Sequence, residues 1–214
     1  GGGLALAVKR ERRKHLVKEY GRLECEGETV DWVERFCYLG DSLRGDGCTL
    51  APVLARTIQA WARYRKLAAI WYDRKLGIAM KIRLYRSAVG SIVRVGAESY
   101  TMDEKVSRRL NNFNSKAMAG ITGRSISEEA KDPTYDLLTD IKKARAKWLG
   151  HILRLDRDSI LVRTVEEFDK HGEKYEGNLL EVAPSYNSFN ELREMARNRE
   201  KWRKHVKNIT RLSV

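Results

Sequence analysis

LARTIQAWARYRKLAAIW, residues 54–71, decides the fold class. Leu54, Ile58, Trp61, Tyr64, Leu67 and Trp71 recur at steps of three and four, which at about 100° per residue gathers them on one side of a helix. Arg56, Arg63, Lys66 and, if the helix continues, Arg74 fall on the opposite side, with Asp73 the one carboxylate close by. One side is built for a core and the other for an anion. From Gly47 to Ala97 ten basic residues meet a single acid, so this stretch carries +9 of the chain's +13. Such a balance points to a polyanionic partner, nucleic acid before membrane.

Outward from this helix the pattern continues. Pro52 suits the first turn, where its missing N–H costs nothing. Gly77 breaks the run, and Ile78, Ile82, Tyr85, Val89, Ile92 and Val95 predict a second helix backed by Arg83, Arg86 and Arg94. Two basic-backed helices joined by a short turn form a helical hairpin. Arg56, Arg63, Lys66, Arg74, Arg83 and Arg86 are therefore the candidate phosphate contacts. Thr101 to Glu104 has capping-box form and predicts a third helix through Val106, Leu110, Phe113 and Ala117, ended by Gly120 and Gly123. Arg124 to Pro133 reads as a polar linker.

A fourth helix is predicted by Leu137, Ile141, Ala144, Trp148, Ile152 and Leu155, with Lys142, Lys143, Arg145, Lys147 and Arg154 around it. Gly150 inside it costs about 1 kcal/mol relative to alanine, which implies a close approach there. Asp169 to Asn187 reads as a linker. Ser188 to Glu191 forms another capping box, opening a terminal helix through Leu192, Met195, Arg199, Trp202, Val206 and Ile209. The tryptophans read as core.

Toward the start, Lys9 to Lys18 is a basic segment read as a solvated helix or tail, and residues 23–43 predict two or three short strands with Arg44-Gly45-Asp46-Gly47 as a turn. The expected architecture is mainly α: a basic segment (1–22), a small β element (23–49), a helical bundle (50–157), a loose linker (158–187) and a C-terminal helix (188–214).

Several chemistries find no support. Three cysteines without C-x-x-C spacing and four scattered histidines give no metal site and suggest an intracellular, cytoplasmic or nuclear protein. No apolar stretch approaches 18 residues, so no membrane span is expected. No carboxylate set for a two-metal reaction, no phosphate-binding glycine loop and no nucleophile paired with a histidine is present, so neither catalytic residues nor a cofactor are assigned. His151, beside Trp148, reads as structural.

Phe36-Cys37-Tyr38-Leu39-Gly40 resembles the F-x-YLG primer-grip block of non-LTR (LINE-type) retrotransposon reverse transcriptases. In the same order, Arg56 to Leu67 is similar to the family's Arg-rich thumb stretch and Lys81 to Val89 to its K-x-x-x-Y-x-x-x-V block. Ala146 to Arg154 is similar to R-W-x-G-H-v-x-R, and Ala196 to Arg203 to A-x-D-R-x-x-W-R. The chain departs from the family at Arg94 to Tyr100 and at Met118 to Gly123. The family's catalytic aspartates belong to a palm preceding the YLG block, and nothing in residues 1–35 matches them. The resemblance implies a thumb-and-tail fragment of an RNA-directed DNA polymerase. It would hold an RNA/DNA template-primer duplex by its phosphates, act beside a palm domain and perform no polymerisation. Phe36, Tyr38, Leu39 and Gly40 would be its primer-grip residues. Two other readings are a helical protein-interaction module, or decayed gene product, with no nucleic-acid role, and a helix-turn-helix regulator, which the long helices fit poorly.

Overall fold

The computed structural model describes residues 23–25, 28–30, 35–38, 41–44, 50–171 and 179–209. Contacts divide the chain into two units, Gly1–Cys48 and Thr49–Val214. In the first, β1 (Leu23–Cys25) pairs antiparallel with β2 (Glu28–Val30), and β3 (Arg35–Tyr38) with β4 (Asp41–Arg44), Phe36 facing Leu43 in register. The basic segment at Lys9 to Lys18, Leu39, Gly40 and the Arg44–Gly47 turn beyond Arg44 lie outside the described residues.

The second unit is helical. α1 (Leu50–Lys66) buries Val53, Thr57 and Ala60 and lays Tyr64 beside them. That stripe sits one position back from the predicted one: Leu54 is half-buried and Ile58 is 62 % exposed. The cause is a shared wall, because α1 packs against α4 (Ser91–Arg94) and α5 (Glu104–Thr122) together, and the small Thr57 and Ala60 permit both approaches. The Thr57 hydroxyl donates to the Leu54 carbonyl at 2.9 Å, which lets it be buried.

The predicted run to Trp71 is interrupted at Leu67, and α2 (Ala68–Tyr72) restarts it. The Tyr64 carbonyl, left over at the end of α1, accepts the Leu67 N–H at 3.1 Å and the Trp71 indole N–H at 2.8 Å. Trp71 stacks on Tyr64 at 5.3 Å, and Trp61 meets Phe113 edge-on at 5.1 Å. Lys81 is buried and donates to the Trp71 carbonyl at 2.7 Å, closing the other end of α2.

α3 (Ile78–Tyr85) starts after Gly77 as expected, but its continuation is a π turn at Arg86–Gly90 followed by α4. One extra residue in that turn rotates the buried stripe, so Tyr85 and Val89 are followed by Val93 and Ala97, while Val95 faces out. α5 is capped by Asp103, whose carboxylate accepts the Val106 N–H at 2.7 Å, two residues beyond the predicted Thr101 cap. Val106, Leu110, Phe113 and Ala117 are buried as the spacing predicted, and Gly123 ends the helix at φ 78°. Gly120 stays inside the helix, under the Tyr64 hydroxyl.

The expected polar linker contains α6 (Ile126–Lys131), opened by a complete capping box between Ser125 and Glu128. α7 (Leu137–Ile152) follows, capped by Asp136. Its first half sends Leu137 and Ile141 into the core built by α1 to α5. Its second half sends Ala146, Leu149 and Ile152, with Leu153 just beyond, into a second core. α8 (Ile160–Lys170) falls where a loose linker was expected, because Val162 and Val165 bury against that second core. A 3-10 turn at Leu179–Val182 packs there too. The expected terminal helix is two, α9 (Phe189–Arg197) and α10 (Arg199–Asn208), divided at Asn198, whose side chain caps α10. Ser188 caps α9 as read, while the Glu191 carboxylate accepts from Asn187 rather than returning to Ser188.

Burial raises the pKa of four tyrosines. Tyr64 is pushed to about 12, with Tyr72 adding to the effect, and Tyr85 goes well above its usual value, reinforced by Tyr135 and Tyr64. Tyr135 and Tyr186 are raised first by burial and then by donating to Asp140 and Asp169. Each favours the fold while protonated, so its contribution is complete below pH 10 and is lost as pH rises through the folded value. Fully buried Tyr85 alone gives a slope of about 1.4 kcal/mol per pH unit. The urea midpoint should therefore fall steeply above pH 10, and a midpoint unchanged up to pH 12 would contradict this account.

Candidate nucleic-acid interface

α7 and α10 meet through one aromatic contact. The Trp202 indole lies against Gly150, where a Cβ would collide with the ring edge, and its N–H donates to the Ala146 carbonyl at 2.9 Å. The close approach predicted at Gly150 is thus made by Trp202. Arg193 on α9 donates to the Leu153 and Leu155 carbonyls at 3.2 and 2.7 Å, and Arg154 donates to the Ala196 carbonyl at 3.0 Å. These bonds tie the end of α7 to α9, as the Trp202 bond ties its middle to α10.

Beside this contact runs a groove of about 890 Å³. Lys143, Lys147, His151 and Arg154 enter it from α7 and the turn after it, all on one stripe at steps of three and four. Arg199, Arg203 and Lys207 enter from α10 at successive steps of four. Arg86 and Arg94 close one end. Eight Arg and Lys therefore face one carboxylate, Asp140, which is already satisfied. It lies 2.9 Å from Arg86 Nε and 3.1 Å from Arg94 Nη1 and accepts the Tyr135 hydroxyl at 2.7 Å. Asp140, 13 % exposed, is shared by those two arginines and offsets one of their two charges, and among the described residues no carboxylate forms an ion pair with the other six cations. Burial, and then the charge of Arg199, lower the pKa of Arg154 below the usual guanidinium range. The groove thus holds like charges together, an arrangement that an anion relieves.

The six predicted phosphate contacts divide. Arg86 lines the groove and is bound to Asp140. Arg63, Lys66, Arg74 and Arg83 are exposed, Arg56 is half-buried, and none of these five lines the groove. Among the cations read around the fourth helix, Arg145 does not face solvent: it is 1 % exposed, and its guanidinium donates to the carbonyls of Glu98 and Ala97 at 3.4 and 3.5 Å and to that of Tyr100. Trp148, read as core, is 38 % exposed and stacks on His151 with ring centroids 5.4 Å apart and planes at 26°.

The α10 cations escaped sequence reading because Glu200 stands among them. Glu200 pairs with Lys204 at 3.3 Å, which leaves the stripe of Arg199, Arg203 and Lys207 without a carboxylate of its own. Their spacing by four was the available signal. Among the described residues no group of His, Cys, Asp or Glu is arranged to hold a metal ion, and no helix is long and apolar enough to cross a membrane. No family model, curated protein or solved structure matches the chain.

Proposed function

We propose that the chain is a non-catalytic nucleic-acid-binding module, the thumb-and-tail part of a non-LTR retrotransposon reverse transcriptase. It holds RNA/DNA template-primer by its phosphates along the groove between α7 and α10. The observation that carries this reading is the set of six cations on two facing helical stripes, with no carboxylate partner among the described residues, beside an aspartate that is already paired. Arginine and lysine side chains in such a row contact phosphate oxygens, which position a strand without reading its sequence. The two blocks resembling the family's W-x-G-H and R-x-x-W-R motifs form this groove together, with Trp202 seated on Gly150. In the same proposal, Phe36, Tyr38, Leu39 and Gly40 belong to a primer-grip element that works with a palm domain. The exposed cations of α1 and α3, such as Arg63, Lys66 and Arg83, extend the phosphate track.

The test is the salt dependence of binding to a labelled RNA–DNA hybrid, followed by anisotropy. About five phosphate contacts give a slope of log K against log salt near −4 to −5, a loss of about 10²- to 10³-fold between roughly 50 and 200 mM salt. Lys147→Ala, Arg199→Ala and Arg203→Ala together should flatten the slope by about 3. Affinity insensitive to salt, or unchanged in the triple variant, would place the chain among helical protein-interaction modules instead.

A further inference from the structure

The groove has an aromatic edge that phosphate binding leaves unused. On α7, at about 100° per residue, the stripe from Asp140 through Lys147 and His151 to Leu155 spans roughly a third of the helix surface. Trp148 projects just past its edge, on the side away from Gly150 and therefore away from α10. His151 lies inside the groove, and its ring is covered on one face by the Trp148 indole. The chain's other described tryptophans, Trp61, Trp71 and Trp202, belong to the two cores or pack against them. Trp148 is neither buried nor in either cluster, and it is held in a defined orientation by His151.

We infer that the Trp148–His151 pair is a stacking platform for an unpaired base, so that the groove receives single-stranded nucleic acid where the strand leaves the duplex. This rests on the phosphate-binding reading of the same groove. A row of cations can follow either a single strand or a duplex, but a planar aromatic pair at its edge can be used only by a base whose face is open. Base faces in a duplex are occupied by their neighbours. Combining a cationic track with aromatic stacking is the general physical solution for holding a single strand irrespective of its sequence. Lys147 lies four residues before His151 and Arg154 three after it, and the two hold the flanking phosphates.

The experiment compares three labelled probes on the full chain: a single-stranded thymidine oligonucleotide, the same backbone with abasic sites, and a blunt RNA–DNA hybrid of equal length. Trp148→Ala should weaken the single strand about 10- to 100-fold while changing hybrid affinity less than about twofold. Trp148→Phe should keep most of the single-strand affinity, because it keeps a ring. The abasic probe should bind the native chain as weakly as the thymidine probe binds Trp148→Ala. Trp148 lies outside both cores, so the thermal midpoint of each variant should match the parent. Salt-dependent binding of both thymidine and hybrid probes that Trp148→Ala leaves unchanged, or weakens equally, overturns the platform and leaves the phosphate track standing. Absence of salt-dependent binding by the native chain overturns both.

Discussion

Trp202→Ala should destabilise the second unit by about 3–5 kcal/mol, enough to consume much of the stability of an ordinary domain. The indole is buried, fills the space between α7 and α10 and donates its N–H to the Ala146 carbonyl. Alanine would leave a void that neither helix can close alone, because Gly150 offers no side chain to fill it. The converse substitution, Gly150→Ala, tests the same contact from the other side. A helix interior gains about 1 kcal/mol from alanine over glycine. Here the new methyl meets Nε1, Cε2 and Cδ1 of a rigid ring, so overpacking of about 1–3 kcal/mol should dominate and the variant should be less stable. In the Trp202→Ala background the collision is gone and Gly150→Ala should become neutral or stabilising. Urea unfolding of the four proteins measures that coupling. Independent, additive effects would show that the two residues do not meet as described.

Arg145→Ala should cost a comparable amount, about 3–5 kcal/mol. Its guanidinium gathers the carbonyls of Ala97, Glu98 and Tyr100, where the chain leaves the 3-10 turn at Ala97–Ser99. Removing it leaves a cavity and strips donors from buried oxygens. Arg145→Lys should restore only part of the loss, since one ammonium cannot reproduce a planar fork aimed at several acceptors. Burial lowers the pKa of Arg145 to about 10, partly offset by Glu181 and Glu98. A base with a lowered folded pKa contributes stability that rises with pH above that value, opposite in sign to the tyrosines. The Arg145→Ala protein should therefore lose stability with pH more steeply than the parent above pH 10, and an unchanged slope would contradict the assignment.

Hydrophobic spacing located α1, α3, α5 and α7 because each carries apolar residues at steps of three and four over several turns. It did not decide which face α1 buries. Val53 and Ala60 compete there with Leu54 and Ile58, and only the neighbouring helices choose between them. The π turn at Arg86–Gly90 has no periodic signature, since a one-residue insertion shifts the pattern without erasing it. α6 did have a signal, because Ser125 and Glu128 stand three apart, but the surrounding polar residues suggested a linker. In α8 the consecutive Ile160, Leu161 and Val162 obscured the period, and only Val162 of the three is buried. The groove was legible only in halves. Its α7 cations were visible around a predicted helix, whereas their meeting with Arg199 and Arg203 depends on a contact across some fifty residues of chain.

That α7 supplies walls to both cores has a consequence for how this unit comes apart. The residues it gives to one core, Leu137 and Ile141, and those it gives to the other, Ala146, Leu149 and Ile152, are joined by a single continuous ladder of backbone hydrogen bonds. Fraying from the N-terminal end withdraws Leu137 and then Ile141 from one core, and fraying from the C-terminal end withdraws Ile152 and then Leu149 from the other. Two cores that share a strut should melt in a coupled way, so one calorimetric transition is the expected result. An anion bound between α7 and α10 would stabilise the second core directly, and the core that holds Val53 through the helix the two share.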